Sequence, residues 1–383
     1  MSTNSKINIL MCPSDLFGVG HYRSVWPAQA IEKYHGDKFS VDIRLQVPIT
    51  DDDLGKFDIV HFHRFINNQQ ETVEWIKKFQ KAGAIVVVDI DDYWIPPHGH
   101  PVRQLVLKNK LHLQILEGLR ASDYVTTTTN IYAKHVSNAI KKENIKVIPN
   151  AIDTNLKMWQ PQKIESDRIR IGWIGGSSHE RDLNRIVGSF NRLLCDQEVK
   201  DKVQIVMCGY DTRGTITEMN PVTKEERTRK ITPSESIWNK FESIFNDNGR
   251  ADVNQYVRRN TLPITQYGKH YNYCDICLAP LDQNTFNECK SELKIIETGM
   301  MGKALIASDV YAYHEFLKHE ETALLVNPRR DHKDWSKYMK ELILNDDLRL
   351  HLSNNLRKLV YPKYTLESIT SERVKWYSEI LKR

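Results

Sequence analysis

The stretch FNECKSELKIIETGMMGKALIAS, residues 286–308, combines a helical repeat with a run typical of a buried strand. Leu293, Ile296 and Met300 recur at the spacing of one helix face, which predicts a side that packs against the core. Gly302 predicts the end of this helix, and ALIAS then predicts a short parallel strand entered through a tight turn. The order of helix, turn and strand indicates an α/β fold.

A second face of the same predicted helix carries charge. Lys290, Lys294 and Glu297 fall at i, i+4 and i+7, so two ammonium groups and a carboxylate share one side. With Lys290 and Ser291 in its first turn, the helix start predicts an anion site, because unpaired backbone N–H groups and cations point the same way. Glu297 is expected roughly 10 Å further along. This spacing suits a diphosphate at the helix start and a ribose at Glu297; a solvated face of Lys–Glu pairs is the alternative.

The rest of the chain alternates strands and helices in two series. The first, over residues 7–153, predicts a doubly wound parallel sheet in which Gly18 and Gly20 form the turn between a strand and a helix. A polar segment at 156–168 predicts a linker, after which the pattern restarts with Gly175 and Gly176 at the equivalent turn. We therefore predict domains at 1–160 and 161–364, and a C-terminal helix at 365–383 that packs back on the first domain.

Two segments have features of their own. Residues 101–122 predict a single long amphipathic helix with Leu and Ile on its inner side. Residues 211–262 carry charges of both signs and few strand signals, which predicts an insertion in the second domain, helical around SIWNKFESIF.

Polar side chains end two predicted strands of the first domain. His61 and His63 share one side of the strand at 57–64, and Asp89, Asp91 and Asp92 end the strand that starts at residue 84. Open parallel sheets bind ligands at their carboxyl ends, so these residues predict a role in a cleft. The three carboxylates permit a divalent cation, but helix capping or general-base catalysis is the preferred interpretation.

The composition restricts the class of protein. A chain of 383 residues with 40% hydrophobic residues is long enough for two globular domains. It has no apolar run of membrane-spanning length and starts with a polar segment, so we expect a cytoplasmic protein. A net charge of +5 is too small to indicate nucleic acid by itself. Cys274 and Cys277 form a C-x-x-C, which we interpret as buried strand positions because no second ligand pair has metal-site spacing.

Three motifs in succession resemble the GT-B glycosyltransferases of the retaining family 4 type. VIPNAIDTNLKMW at 147–159 is similar to that family's interdomain segment, FDIVHFH at 57–63 to a strand of its N-terminal domain, and KSELKIIETGMMGKALIAS at 290–308 to its donor-site helix. The resemblance implies two Rossmann-like domains facing across a cleft. It also implies a nucleotide-sugar donor held mainly by the C-terminal domain and an acceptor in the N-terminal domain.

The resemblance assigns roles to individual residues. Glu297 matches the second glutamate of the family's E-x7-E pattern, which is expected on the donor ribose. Arg181 stands where the family has a phosphate-binding lysine, and Gly18 and Gly20 match its N-terminal glycine loop. The chain departs from the pattern at three places, each of which has another residue: Cys289 for the first glutamate, Gly176 for an arginine, and Asp91 for a histidine. Lys290 and Lys294 are candidates to replace the missing cation.

These observations predict a glycosyltransferase that transfers a sugar from a nucleotide diphosphate sugar to an acceptor hydroxyl with retention, without a metal or a separate cofactor. The candidate donor-binding residues are Gly18, Gly20, Gly175, Arg181, Lys290, Ser291, Lys294 and Glu297. Asp91 and His63 are candidates for orienting the acceptor hydroxyl. The alternatives are an epimerase of the same fold, a non-catalytic nucleotide-sugar-binding protein, and a transferase acting on nucleic acid through the basic run ERTRK at 226–230. The sequence leaves the sugar, the base and the acceptor open.

Overall fold

The computed structural model describes residues 6–44, 47–211, 213–219 and 226–382. Within these ranges the chain forms two six-stranded sheets and a separate two-stranded hairpin. Every strand pair in the two large sheets is parallel, as expected when apolar strands such as IVVVD alternate with helices. No helix among the described residues has the length and apolar character needed to cross a bilayer.

The first sheet has the strand order β2-β1-β3-β4-β5-β6. Its strands are β1 Ile7–Cys12, β2 Phe39–Ile43, β3 Ile59–His63, β4 Ile85–Asp89, β5 Tyr124–Thr127 and β6 Ile145–Val147. Its helices are α1 Gly18–Gly20, which continues through a π-helical turn at His21–Val25 into α2 Trp26–His35, then α3 Thr72–Lys81, α4 Arg103–Lys108, α5 Leu111–Ala121 and α6 Asn130–Ile140.

The predicted single helix over residues 101–122 is wrong, because α4 and α5 are separate. Lys110 between them has a φ of 54°, a left-handed conformation that interrupts the helical path. None of the α4 residues is buried, whereas α5 buries Ile115, Gly118 and Leu119. Only the second part of the predicted amphipathic helix therefore packs as expected.

The second sheet has the order β11-β8-β7-β12-β13-β14. Its strands are β7 Ile169–Ile174, β8 Val203–Tyr210, β11 Tyr256–Asn260, β12 Ile276–Ala279, β13 Ala304–Ser308 and β14 Leu324–Val326, and the hairpin consists of β9 Thr215–Met219 and β10 Glu226–Lys230. The segment predicted as an insertion thus contains β11, an edge strand that pairs with β8. Arg258 and Arg259 on β11 hide its strand character, because charged edge strands lack the apolar pattern of central ones.

The helices of the second half are α7 Glu180–Leu183, α8 Ser189–Cys195, α9 Ile237–Phe245, α10 Thr285–Glu288, α11 Leu293–Met300, α12 Tyr311–Phe316, α13 Asp331–Leu344, α14 Asp346–Val360 and α15 Leu366–Ile380. The predicted packing face of α11 is confirmed, since Ile296 and Met300 are buried and Leu293 is half-buried. Gly302 follows with a φ of 62°, the left-handed conformation that ends the helix. The helix begins at Leu293, however, so Lys290 and Ser291 lie in the preceding turn.

The two halves pack together through one continuous apolar cluster. It includes Met11 of the first sheet, Leu305 of the second and Trp159 of the polar segment between them. Helix α15 contacts α2, and Trp376 packs edge-on against Tyr124 with their ring centroids 5.7 Å apart. The C-terminal helix therefore lies against the first half of the chain, although it follows the second.

Candidate functional site

Lys290 and Ser291 lie in the turn between α10 and α11. The Lys290 ammonium is 5.2 Å from the centroid of the Phe286 ring, and its side chain is half-buried. Asn150, which follows β6, donates from Nδ2 to the Ser291 hydroxyl at 3.1 Å. The turn is therefore held from the first half of the chain at Ser291, while Lys290 has no ion-pair partner among the described residues.

Lys294 and Gly175 meet at the carboxyl end of β7. Lys294 Nζ donates to the carbonyl of Ile174 and lies 5.8 Å from the ring centroid of Trp173. Burial lowers the pKa of Lys294, although Glu297 partly opposes this effect. A Cβ atom on Gly175 would lie 2.3 Å from a Trp173 ring atom, so only glycine fits between this ring and the turn.

Glu297 lies inside the protein and is 1% exposed. Tyr22 donates its phenol proton to Oε1, and Tyr271 donates to Oε2, both at 2.6 Å. Burial raises the pKa of Glu297, whereas Lys294 and the two phenols oppose that rise. Both carboxylate oxygens are thus engaged, and one of the two donors comes from the first half of the chain.

Arg181 lies on α7 in an ion pair. Its Nε and Nη2 atoms donate to Asp282 at 2.9 and 2.8 Å, and its side chain is 47% exposed. Arg185 shares the same carboxylate at 2.7 Å and also binds Asp331 at 2.8 Å. The two arginines are therefore balanced by two carboxylates, so the cluster adds little net positive charge.

Gly18 and Gly20 form the first turn of the helical segment after β1. A Cβ on Gly20 would lie 1.8 Å from the carbonyl oxygen of Asp15, which excludes any other residue there. The Asp15 carboxylate accepts from the backbone N–H groups of Phe17 at 2.8 Å and Gly20 at 3.2 Å. Asp15 thus occupies the N–H of Gly20, one of the groups that the sequence pattern offers to an anion.

His63 and Asp91 form a hydrogen-bonded pair at the carboxyl ends of β3 and β4. His63 Nε2 is 2.8 Å from Asp91 Oδ1, and His63 Nδ1 is 2.7 Å from the Ser14 hydroxyl. Arg64 also donates to Asp91 at 2.8 Å. Burial favours the neutral carboxyl, but Arg64 and His63 outweigh it and hold the pKa of Asp91 well below its usual range.

The three predicted carboxylates at the end of β4 are held by cations, Asp89 by Arg23 and the other two by Arg64. Asp89 is 2% exposed and accepts from Arg23 at 2.6 and 2.9 Å and from Thr126 at 2.6 Å. Asp91 binds His63 and Arg64, and Asp92 lies 3.8 Å from Arg64. No three His, Cys, Asp or Glu side chains among the described residues are arranged to share an ion. Transfer without a divalent metal ion therefore stays a prediction.

Two other sequence-based interpretations concern a C-x-x-C and a basic run. Cys274 and Cys277 are both buried, as expected for core positions. The run ERTRK forms β10 of the hairpin, where Arg229 pairs with Glu235 at 2.6 Å. One cation of this run is therefore already paired with a carboxylate.

A histidine next to the Gly175 turn was not among the predicted site residues. His179 Nδ1 is 2.7 Å from Asp182 Oδ2. Burial and, secondarily, Lys290 lower the pKa of His179 to about 4. The segment GGSSHERD contained the signal, since a histidine three residues before an aspartate follows a glycine turn.

Two cavities lie near these residues. One of about 550 Å³ opens at the carboxyl ends of the first sheet and is lined by Ser14, Asp15, Phe65, Asn67 and Asn68, among others. The other, of about 570 Å³, lies between the His98–Gly99 loop of the first half and Arg181, Arg185 and Asp282 of the second. The second cavity is a cleft between the two halves, with charged walls on the α7 side.

Comparison with known families gives a match over more than half of the chain. Residues 157–359 match the family described as glycosyl transferases group 1. No curated protein sequence matches the chain significantly.

Solved structures share the fold over nearly the whole chain. HepE from Anabaena, in complex with UDP and glucose, has a TM-score of 0.64 at 12% identity and covers 97% of this chain and 100% of its own. Sucrose-phosphate synthase from Thermosynechococcus elongatus has a TM-score of 0.68 at 13% identity, covering 98% and 100%. A glycosyltransferase from Rickettsia africae has a TM-score of 0.66 at 15% identity, covering 99% of both chains. The two parallel six-stranded sheets thus form the predicted GT-B fold.

Proposed function

We propose that this chain, which belongs to the glycosyl transferases group 1 family, transfers a sugar from a nucleotide diphosphate sugar to an acceptor hydroxyl with retention at the anomeric carbon. Membership of the family makes the chain a nucleotide-sugar glycosyltransferase. The observation that carries the finer proposal is the cation pair Lys290 and Lys294 beside the Gly175 turn. Retention is proposed from the resemblance of its motifs to the retaining family 4 enzymes.

The donor diphosphate is proposed to bind between the turn before α11 and the end of β7. Lys294 is fixed there by the Ile174 carbonyl, and Lys290 is the more mobile cation because only a ring contact to Phe286 holds it. Ser291 and Gly175 border the same space. Arg181 contributes after rearrangement of its ion pair with Asp282. UDP is the first nucleotide to test, because HepE, a structural relative, was solved with UDP.

Two other contacts are proposed at the edges of this site. Glu297 binds the donor ribose hydroxyls after one of its two tyrosine donors moves away, since both carboxylate oxygens are engaged. Gly18 and Gly20 are proposed to let the first turn after β1 approach the donor closely. A Cβ at Gly18 would lie in open space, so its absence leaves the backbone of this turn uncovered, whereas the close approach of Gly20 to Asp15 is a packing requirement.

The chemical demand of the reaction is stabilisation of negative charge on the departing diphosphate. Fixed cations aimed at that charge lower the barrier, because they need little reorganisation as the glycosidic bond breaks. Lys294, held by the Ile174 carbonyl, supplies one such charge, and Lys290 of the same segment supplies a second that becomes fixed when the diphosphate binds. We therefore propose that transfer needs no divalent metal ion.

The acceptor is proposed to occupy the cavity of about 550 Å³ beside the first sheet. Its amide, hydroxyl and carboxylate groups, with Phe65 as an aromatic wall, suit a polyhydroxylated acceptor such as a glycan. Ser14 lines this cavity and connects it to His63 and Asp91 through hydrogen bonds of 2.7 and 2.8 Å. These two residues are proposed to orient the attacking hydroxyl.

A two-stage experiment tests this function. Thermal shift with UDP-, GDP-, ADP-, CMP- and TDP-sugars first selects the donor, because a ligand of the folded state raises apparent stability. Release of the nucleotide diphosphate is then measured with mono- and oligosaccharide acceptors, and the anomeric configuration of the product is read from proton NMR couplings. Donor binding without transfer to any acceptor would favour a non-catalytic sugar-nucleotide-binding protein, a changed sugar without transfer would favour an epimerase, and an inverted product would refute retention.

A further inference from the structure

The pair of His179 and Asp182 lies beside the proposed donor site without a role in the contacts described so far. His179 follows the Gly175 turn, and its Nδ1 atom is 2.7 Å from Asp182 Oδ2. The histidine side chain is 14% exposed, whereas that of Asp182 is 5% exposed. The more deeply buried Asp182 therefore holds the imidazole at its Nδ1 atom.

Asp182 is fixed as a hydrogen-bond acceptor. Its Oδ1 atom accepts from the backbone N–H of Asp282 at 2.8 Å and from Nδ2 of Asn287 at 2.7 Å. Burial opposes ionisation, but His179, Lys290 and the backbone N–H of Asp282 outweigh it and lower the pKa of Asp182. An ionised Asp182 requires the proton of the neutral imidazole to be on Nδ1. Nε2 is then the free ring atom, and it has no hydrogen-bond partner among the described residues.

The charges that act on His179 come from three elements. Asp182 lies on α7, which begins directly after His179, Lys290 lies in the turn before α11, and Lys294 lies in the first turn of α11. The edge-on ring of Trp173 packs beside His179 with a centroid distance of 5.9 Å. On α9, Lys240 is paired with Glu180. Burial and the two lysines therefore keep the imidazole neutral in the absence of an anion, despite the nearby aspartate.

We propose that His179 is a direct contact of the donor diphosphate and takes up one proton from solvent when the diphosphate binds. This inference rests on the proposed function. A diphosphate beside Lys290 and Lys294 neutralises their repulsion of an imidazolium, so Nε2 can carry a proton and donate it in a hydrogen bond to a phosphate oxygen. Asp182 is a positioning residue that balances the new charge from the other side of the ring. The same hydrogen bond strengthens as the leaving diphosphate gains negative charge.

Proton uptake gives the inference a direct test. The probe is the nucleotide diphosphate sugar selected in the thermal-shift screen, whose phosphates are esters without an ionisation near neutral pH. Calorimetric titrations in buffers of different ionisation enthalpy measure the protons taken up per ligand. The wild-type protein should take up a fraction of one proton near pH 7, and its affinity should fall as pH rises from about 5.5 to 8.

Variants separate titration of His179 from a structural role. His179→Gln should bind the same probe about tenfold to a hundredfold more weakly at pH 6 and without proton uptake, since a charge-assisted hydrogen bond is lost. His179→Lys, with a permanent charge, should restore much of the affinity and make it independent of pH over this range. His351→Gln, an exposed position on α14, is the matched control and should keep the wild-type proton uptake.

The outcomes separate this inference from the proposed function. Wild-type proton uptake that persists in His179→Gln, or binding by wild type without any proton uptake, overturns the role of His179 while leaving the glycosyltransferase site intact. Failure of every nucleotide sugar to bind overturns both proposals.

Discussion

Replacing Tyr22 by phenylalanine tests whether Glu297 is reserved for the donor. Tyr22 donates to Glu297 Oε1 at 2.6 Å, and its ring packs edge-on against Trp26 with a centroid distance of 4.7 Å. Phenylalanine keeps the ring contact and removes only the hydroxyl. One oxygen of a carboxylate that is 1% exposed then loses its donor.

The expected changes in stability and in affinity have opposite signs. A hydrogen bond to a charged group contributes about 1.5–3 kcal/mol, so Tyr22→Phe should lower the free energy of unfolding by about 2 kcal/mol. If a ribose hydroxyl replaces the Tyr22 phenol on Glu297, wild type has to break this bond on binding and the variant does not. Nucleotide-sugar affinity should therefore rise by about tenfold to thirtyfold.

Urea unfolding followed by tryptophan fluorescence measures the first effect, and calorimetric titration with the selected nucleotide sugar measures the second. Tyr34→Phe on α2 is the matched control, since its hydroxyl accepts from Asn155 at 3.2 Å and is not bonded to Glu297. A loss of stability with unchanged affinity refutes the displacement of Tyr22 from Glu297 by the donor. Unchanged stability refutes the energetic value given to the Tyr22 contact.

Three other perturbations test separate parts of the site. Lys290→Ala should weaken nucleotide-sugar binding about tenfold to a hundredfold in calorimetry without loss of fold, whereas Lys375→Ala, at an exposed position of α15, should leave binding unchanged. Glu292 is 5% exposed, and burial raises its pKa from 4.5 to about 7. Between these two pH values the unfolded chain ionises more readily than the folded one, so the free energy of unfolding falls as pH rises through the interval. In urea unfolding, the free energy of unfolding of Glu292→Gln minus that of wild type should therefore be roughly 3 kcal/mol larger at pH 8 than at pH 4. Glu379→Gln, at an exposed position, should show no such change. EDTA should leave sugar transfer unchanged; loss of activity restored by Mn²⁺ or Mg²⁺ would contradict metal independence.

Local sequence pattern predicted the elements of this fold better than the partners within its site. The repeat of Leu293, Ile296 and Met300 identified the packing side of α11, because helical periodicity depends on neighbours three and four residues away. Tyr22 and Glu297 are 275 positions apart, and no local pattern connects them. Periodicity therefore placed Glu297 correctly on a helix but could not show that a tyrosine from the first half would cover it.

The charged side of the same helix shows a second limit. The predicted anion site assumed that the helix includes Lys290, which would align its ammonium with that of Lys294. Glu292 instead precedes the first helical residue, and the turn before it bends toward the first half of the chain. An error of a few residues in a helix boundary is ordinary for sequence patterns. Here it matters, because Lys290 lies outside the helix and therefore does not share a helix face with Lys294. The proposed roles of the two lysines thus rest on different surroundings, the Phe286 ring for Lys290 and the Ile174 carbonyl for Lys294.

The segment proposed to bind the donor, residues 286–308, also contains contacts between the two halves of the chain. Ser291 accepts from Asn150, Glu288 lies 3.3 Å from His135, and Glu297 accepts from Tyr22. Cys289, at the position where the resembling family has its first glutamate, is buried in the apolar cluster of the first half. A ribose that displaces Tyr22 from Glu297 replaces a contact between the halves, so the free energy of donor binding then includes the cost of breaking that contact. Weakening these contacts should therefore favour donor entry.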